Sequence, residues 1–217
     1  MPVDVPLYPV NLLVAGRSVL VVGGGAVAAE KARGLLAAGA AVHVVASVVG
    51  DAVQALDLTW EERPYERGEV AGYRLAVAAT DDRSVNQAVF DDGEAAGVWV
   101  NAADDPARCS YTLPARLDRG RVLVTVSTGG HSPVLASWLR DQLAEHVDDE
   151  IDTLAGLLSE ARLELLAEGR RAAPTDWRTA LDSGMLDLVR AGRLDEARKL
   201  LRASLHPAAP PLPGSQP

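Results

Sequence analysis

The residues best suited to chemistry begin where an aliphatic run ends. Val19 to Val22 lead straight into Gly23, Gly24 and Gly25, and Ala26, Val27 and Ala28 follow. Gly23, Gly25 and Ala28 fit the spacing G-x-G-x-x-[G/A]. In that pattern the first position makes a tight turn and the second lets the backbone approach a pyrophosphate. The third, small residue lets a helix pack close to a strand. A helix starting here would also turn its unpaired N–H groups toward phosphate oxygens. Residues 23 to 28 are therefore candidate dinucleotide-binding residues. A glycine run alone can be nothing more than a tight turn; its place between an apolar strand and an amphipathic helix is what favours the functional reading.

The acidic residue that usually holds the adenosine ribose should fall near Ala46 or Ser47, and neither is a carboxylate. Ser47 offers a weaker hydrogen bond in its place. No arginine stands there to meet a 2′-phosphate, so NAD is favoured over NADP. Three polar clusters follow other apolar runs: Thr80, Asp81 and Asp82; Asn101 with Asp104 and Asp105; and Ser127 with Thr128. In an open α/β sheet the ligand crevice lies beyond the carboxyl ends of the strands, where these clusters belong. Thr80, Asp81 and Asn101 are candidate cofactor contacts. Asp81, Asp82 and Asp105 are equally suited to helix caps and turns. Asp104 is the stronger catalytic candidate, because it follows a buried strand on the side where a nicotinamide ring should lie.

His131, in the turn TGGHSP, could act as a base or a metal ligand, although a lone histidine in a glycine turn is more often a surface residue. His43, His146 and His206 read as strand, helix-surface and tail positions. No H-x-x-x-H, C-x-x-C or paired-histidine pattern occurs, so no preformed metal site is expected.

The elements that must position these groups follow from periodicity. Residues 19–22, a helix over 26–38 stopped by Gly39, and a strand over 42–46 make a β-α-β unit. The polar WEERPYERGEV predicts a short edge strand and turn. Residues 73–80 predict an apolar strand, 84–96 a helix and 98–104 another strand. Strands alternating with helices indicate a parallel sheet covered on both faces. Residues 121–127 predict one more strand, with SYTLPARLDRG as an antiparallel hairpin partner. Ser132 reads as the N-cap of a helix with Pro133 at its first position. Beyond Ile151 only helical patterns remain, over about 151–168, 176–191 and 194–204, and the tail from 206 to 217 is expected to be disordered.

Composition narrows the function classes. At 217 residues with 48% hydrophobic and 24% charged residues, one or two globular domains are expected. No apolar run is long enough to span a bilayer, so no membrane contact is expected. No charged leader precedes an apolar stretch and cleavage site, which predicts a cytoplasmic location. The single Cys109 forms no internal disulfide, as suits a reducing compartment. A formal net charge of −9, without a basic stripe, argues against nucleic acid as a partner. Trp60, Trp99, Trp138 and Trp177 are evenly spaced, but their flanking sequences differ, so they do not mark a repeat.

Four segments, VLVVGGGAVAAEKARGLLAAGA, AVAATDDRSVNQAV, VNAADDPARCSYTLPA and VTVSTGGHSPVLASWLRDQL, resemble in order and spacing the precorrin-2 dehydrogenase family of siroheme biosynthesis. That family includes the N-terminal half of the multifunctional siroheme synthase, and the resemblance covers about residues 7 to 148. It implies NAD-dependent oxidation of precorrin-2 to sirohydrochlorin and, in some members, insertion of ferrous iron. The aspartate of the family's N-x-x-D-x-P motif falls on Asp104. The family's serine-rich turn at the tetrapyrrole site falls on Ser127, Thr128, Gly129, Gly130, His131, Ser132 and Pro133. Thr128 stands where a second serine often occurs, and His131 is not typical of the family. The residues beyond 148 are too few for the methyltransferase half, which is not expected here.

With the resemblance, the expected architecture is a Rossmann-type NAD-binding domain over 1–112, then a small α+β dimerisation and tetrapyrrole-site region over 113–148. A helical domain over 149–205 precedes the tail. A homodimer through residues beyond about 113 is implied. Precorrin-2 carries eight carboxylates, so an acidic chain needs local donors: the N–H groups of the TGGHSP turn, and Arg108, Arg116, Arg119 or Arg121. Two other readings stay open. One is a different Rossmann oxidoreductase with a small acid substrate. The other is an NAD-sensing regulator, which would need neither Asp104 nor a second glycine-rich anion turn.

Overall fold

The computed structural model of the chain describes residues 5–103 and 105–206. Asp104 and the expected tail from 207 onward lie outside the described residues. Five strands form one all-parallel sheet: β1 (Ser18–Val22), β2 (Ala41–Ala46), β3 (Thr59–Glu62), β4 (Leu75–Ala78) and β5 (Trp99–Ala102). Their order is β3-β2-β1-β4-β5. The chain thus runs outward from β1 to β3, then crosses back to place β4 on the other side of β1. That reversal puts a switch point between β1 and β4, where an open parallel sheet leaves a crevice at its carboxyl edge.

β1 is apolar at consecutive positions because it is buried on both faces. Val19 and Val21 pack with Ala28, Ala29 and Ala32 of α1 (Ala26–Ala37) and with Val53 of the short α2 (Asp51–Gln54). Leu20 and Val22 pack on the opposite face with Val89 of α3 (Arg83–Ala96) and with Val98 and Val100. A fully buried aliphatic side chain of this kind contributes about 1.5–3 kcal/mol over leaving it in water. All four residues of β3 are exposed, as the polar sequence of an edge strand predicts. Helix α3 starts at Asp82, whose carboxylate accepts Ser84 N–H at 2.8 Å. It ends at Gly97, where Val98 N–H reaches Gly93 O at 2.9 Å. The sequence pattern had shown no helix over Asp51–Gln54; four residues are too few to display a helical period.

Two compact units emerge. Of the described residues, one unit holds the parallel sheet up to Pro114 together with Ser127–Pro133; the other holds Ala115–Val126 and residues 134–206. In the second unit β6 (Ala115–Arg119) and β7 (Val122–Val126) form the antiparallel hairpin that the sequence predicts. Helices α4 (Pro133–Ala144), α5 (Glu150–Ala167), α6 (Pro174–Ala180), α7 (Leu186–Arg190) and α8 (Leu194–Leu205) follow. Asp152 of α5 accepts Arg121 N–H at 2.7 Å and pairs with its guanidinium at 2.9 Å, tying the hairpin to the helices.

Leu154, Leu157, Met185, Val189, Leu201 and Leu205 build a separate core. The single helix expected over 176–191 is instead interrupted: Ser183 and Gly184 leave helical geometry, and Gly184 has φ +85°. The break lets Met185 and Val189 turn inward with Ala180, all of them buried. Among the described residues no helix is long and apolar enough to cross a membrane.

Candidate active site

The carboxyl edge of the sheet gathers loops from several strands onto the glycine run. Gly23 follows β1 with φ +130°, and a Cβ there would lie 2.3 Å from Ala79 O, at the end of β4. A Cβ on Gly24 would lie 2.0 Å from Val48 O, in the loop after β2. Both glycines are therefore required by the protein's own backbone, which closes on them from the two strands flanking β1. Gly25 differs. Its φ −86° and ψ −173° suit any residue, and a Cβ there would meet nothing within 4 Å. The open space above Gly25 borders the start of α1, which has no side-chain cap and no acidic residue in its first turn. Ala26 and Val27 are exposed beside it, while Ala28 is fully buried against the sheet. Unpaired amides at a helix start, with room over a glycine, fit the phosphates of a dinucleotide.

Ser47 is exposed just past β2. After β4, the Thr80 hydroxyl donates to Asn86 Oδ1 at 2.8 Å and accepts Asp82 N–H at 3.2 Å. Asn86 Nδ2 returns a hydrogen bond to Thr80 O at 2.9 Å. Asn86 is one of two buried polar residues among those described, and it locks the turn from β4 into α3. Sequence reasoning passed over it, since an asparagine one turn into a helix carries no local signature. Asp81 is exposed at this edge. Asp82 is the cap described above, and hydrogen bonds from the Ser84 hydroxyl and amide hold its carboxyl below the usual range.

Asn101, the other buried polar residue, sits on β5 and donates to Tyr111 O at 2.9 Å. It also bridges to Cys109, so it folds the segment after β5 back against the strand. Burial pushes the Cys109 thiol and the Tyr111 hydroxyl up, keeping both neutral at ordinary pH. Asp105 pairs with Arg108 at the short turn Pro106–Arg108. Its neighbour Asp104, which the sequence puts forward as the base, lies outside the described residues.

The segment Ser127–Pro133 belongs to the same unit as the glycine loop. Ser127 Oγ accepts Gly129 N–H at 3.2 Å. The Thr128 hydroxyl accepts Ser132 N–H and lies within donating distance of Ser132 O, both at 3.1 Å. His131 N–H reaches Thr128 O at 3.0 Å. Gly129 and Gly130 have φ +61° and +79°, the left-handed backbone that closes so tight a turn. A serine hydroxyl could make the same bonds as Thr128, so the threonine keeps the turn intact. His131 is exposed.

Of the four arginines named as carboxylate donors, three are already engaged. Arg108 binds Gln87 Oε1 and Asp105, Arg119 binds Val147 O and Asp149, and Arg121 binds Asp152. Arg116 is exposed with no such partner among the described residues. No group of three or more His, Cys, Asp or Glu side chains that could hold a metal occurs among them.

A family model for NAD(P)-binding domains matches residues 10–115, and one described as sirohaem biosynthesis protein central matches residues 119–146. Siroheme synthase of Photorhabdus laumondii is 35% identical over 203 residues, covering 91% of this chain and 43% of the relative. The siroheme synthases of Stutzerimonas stutzeri and Methylococcus capsulatus are 38% and 37% identical, over 90% and 93% of the chain. The chain spans less than half the length of these relatives, 43% and 44% for the last two. Among solved structures, SirC, a precorrin-2 dehydrogenase, superposes with a TM-score of 0.69 at 28% identity, over 91% of this chain and 98% of that one.

Proposed function

This chain belongs to the precorrin-2 dehydrogenase family, which includes the N-terminal part of siroheme synthase, and on that premise we propose that it oxidises precorrin-2 to sirohydrochlorin with NAD. The observation that carries the reading is the open cradle at Gly25. It lies at the start of an uncapped helix and at the carboxyl edge of a sheet whose strand order reverses beside it. When bound, NAD supplies the hydride acceptor. The amides of Ala26, Val27 and Ala28 would hold its pyrophosphate, with Ser47, Asp81 and the backbone near Thr80 lining the same edge. Gly23 and Gly24 shape the loop.

The substrate loses a hydride and a proton in the oxidation. The carboxylate of Asp104 takes the proton as the general base. In the turn Ser127 to Ser132 the amides of Gly129, His131 and Ser132 are used within the turn, so the Ser127 hydroxyl and the Gly130 N–H would be its donors to the substrate's carboxylates.

Mixing the purified chain with precorrin-2 and NAD should convert the spectrum of precorrin-2 to that of sirohydrochlorin and raise absorbance at the NADH band in equal amount. Neither change, with folded protein, would overturn the reading. Adding ferrous iron to the product in the same cuvette tests the second activity that some family members carry. The regulator alternative predicts NAD binding without turnover in this assay.

The chain would act in the cytoplasm as a homodimer. Leu123 of β7 and Val134, Leu135 and Trp138 of α4 are 46% to 81% exposed. The exposed apolar residues of this hairpin and of this helix would form the association surface. The C-terminal helices bury a core of their own, and Leu163 and Leu166 of α5 are exposed as well. Light scattering at micromolar concentration should give twice the mass of the 22.8 kDa chain, and a monomeric mass would refute the dimer.

A further inference from the structure

We propose that Glu62 supplies the ribose carboxylate that β2 lacks, and that it makes the site select NAD over NADP. The inference rests on the reading that the glycine loop holds a dinucleotide. In such a sheet an acidic residue at the end of the second strand accepts a hydrogen bond from the adenosine 2′-hydroxyl. Here β2 ends at Ala46 and Ser47, without one. The next strand out is β3, parallel to β2, with Glu62 as the register partner of Ala46. Register partners in a parallel pair project to the same face. Ala46 faces the side covered by α1, with Val44, Val49 and Val53, so Glu62 stands on the side of the sheet from which α1 begins.

The carboxylate reaches the loop that follows β2. Glu62 Oε2 accepts Val49 N–H at 3.1 Å, which brings it back over the loop that follows β2. That loop is in turn joined to the glycine run: Gly50 N–H reaches Gly24 O at 3.0 Å. Gln54 Nε2 holds Val49 O at 2.7 Å from the other side. Glu62, the loop after β2 and the glycine loop are therefore one connected piece. Oε1 of Glu62 has no partner among the described residues. The nearby Arg63 does not neutralise it, because its guanidinium is committed to Glu61 at 2.6 Å and Glu69 at 2.7 Å. An uncompensated carboxylate with one oxygen to spare accepts a ribose hydroxyl and repels a 2′-phosphate.

The test uses the full chain and calorimetric titration with NAD⁺ and NADP⁺, and reads binding rather than turnover. Wild-type protein should bind NAD⁺ at least about tenfold more tightly, the worth of one charge-assisted hydrogen bond. Glu62→Gln keeps an oxygen that can accept Val49 N–H, so the loop stays anchored. The variant should lose most of that preference, NADP⁺ gaining and NAD⁺ weakening. Glu62→Lys should reverse it. A preference unchanged in both variants, or equal weakening of both ligands, would mean that Glu62 only anchors the loop, and would overturn the proposal. Wild-type protein that binds neither ligand would instead remove the dinucleotide reading beneath it.

Discussion

Asp104→Ala is expected to bind NAD normally and to oxidise precorrin-2 about 10²- to 10⁴-fold more slowly, the range for loss of a positioned general base. The chemistry needs an acceptor for the proton left when hydride departs, and the sequence places this carboxylate immediately after the residues that follow β5. Its neighbour is the control. Asp105 is already paired with Arg108 and its carbonyl accepts the amide of the turn Pro106–Arg108, so it is occupied in structure. Asp105→Ala should cost less than about tenfold in rate, since it removes a partly exposed ion pair and no reacting group. Single-turnover rates at saturating NAD, with NAD affinity measured in parallel, separate the two. If the variants react within about threefold of each other, well inside that range, the base lies elsewhere and His131 is the next residue to replace.

Gly25→Val is expected to abolish useful NAD binding while the protein stays folded. Its extended backbone is one that valine readily adopts, and the new side chain would enter space that is empty of protein. On the proposed reading, a pyrophosphate would enter that space to reach the amides of α1. Losing two charge-assisted hydrogen bonds at about 1.5–3 kcal/mol each weakens binding by about 10²- to 10⁴-fold. Gly23→Ala makes the contrast. Its methyl would stand 2.3 Å from a backbone oxygen at φ +130°, so the melting temperature should fall along with affinity. Calorimetric titration and thermal melts of the two variants read both quantities. A folded Gly25→Val protein with unchanged NAD affinity would sink the phosphate cradle.

The contrast between these glycines shows where reading the sequence stopped. The motif assigned Gly23 to a tight turn and Gly25 to the phosphate approach. It had no role for Gly24, whose lack of a side chain is demanded by Val48 O. Likewise Thr80 and Asn101 were legible as polar residues at strand ends. What they touch was not: the Thr80 hydroxyl closes on Asn86, six residues on, and the Asn101 amide holds Tyr111 O, ten residues on. The family resemblance carried the function further than the residues could alone, because four motifs in fixed order are far more specific than one loop.

By itself the sequence determined what repeats over short distances. The apolar runs of β1, β2 and β4, helices α1 and α3, the polar edge strand, the antiparallel hairpin and the stop at Gly39 are all written in local periodicity and turn residues. Local pattern reports which side of an element meets the core, because burial repeats with the period of that element. Tertiary structure alone decided which loops meet. The order β3-β2-β1-β4-β5 puts Ala79 and Val48 against the glycine run and puts Glu62 beside the end of β2. Those contacts join residues far apart in the chain, where no period links them, so the presence of a carboxylate beside the end of β2 became visible only once the sheet was assembled.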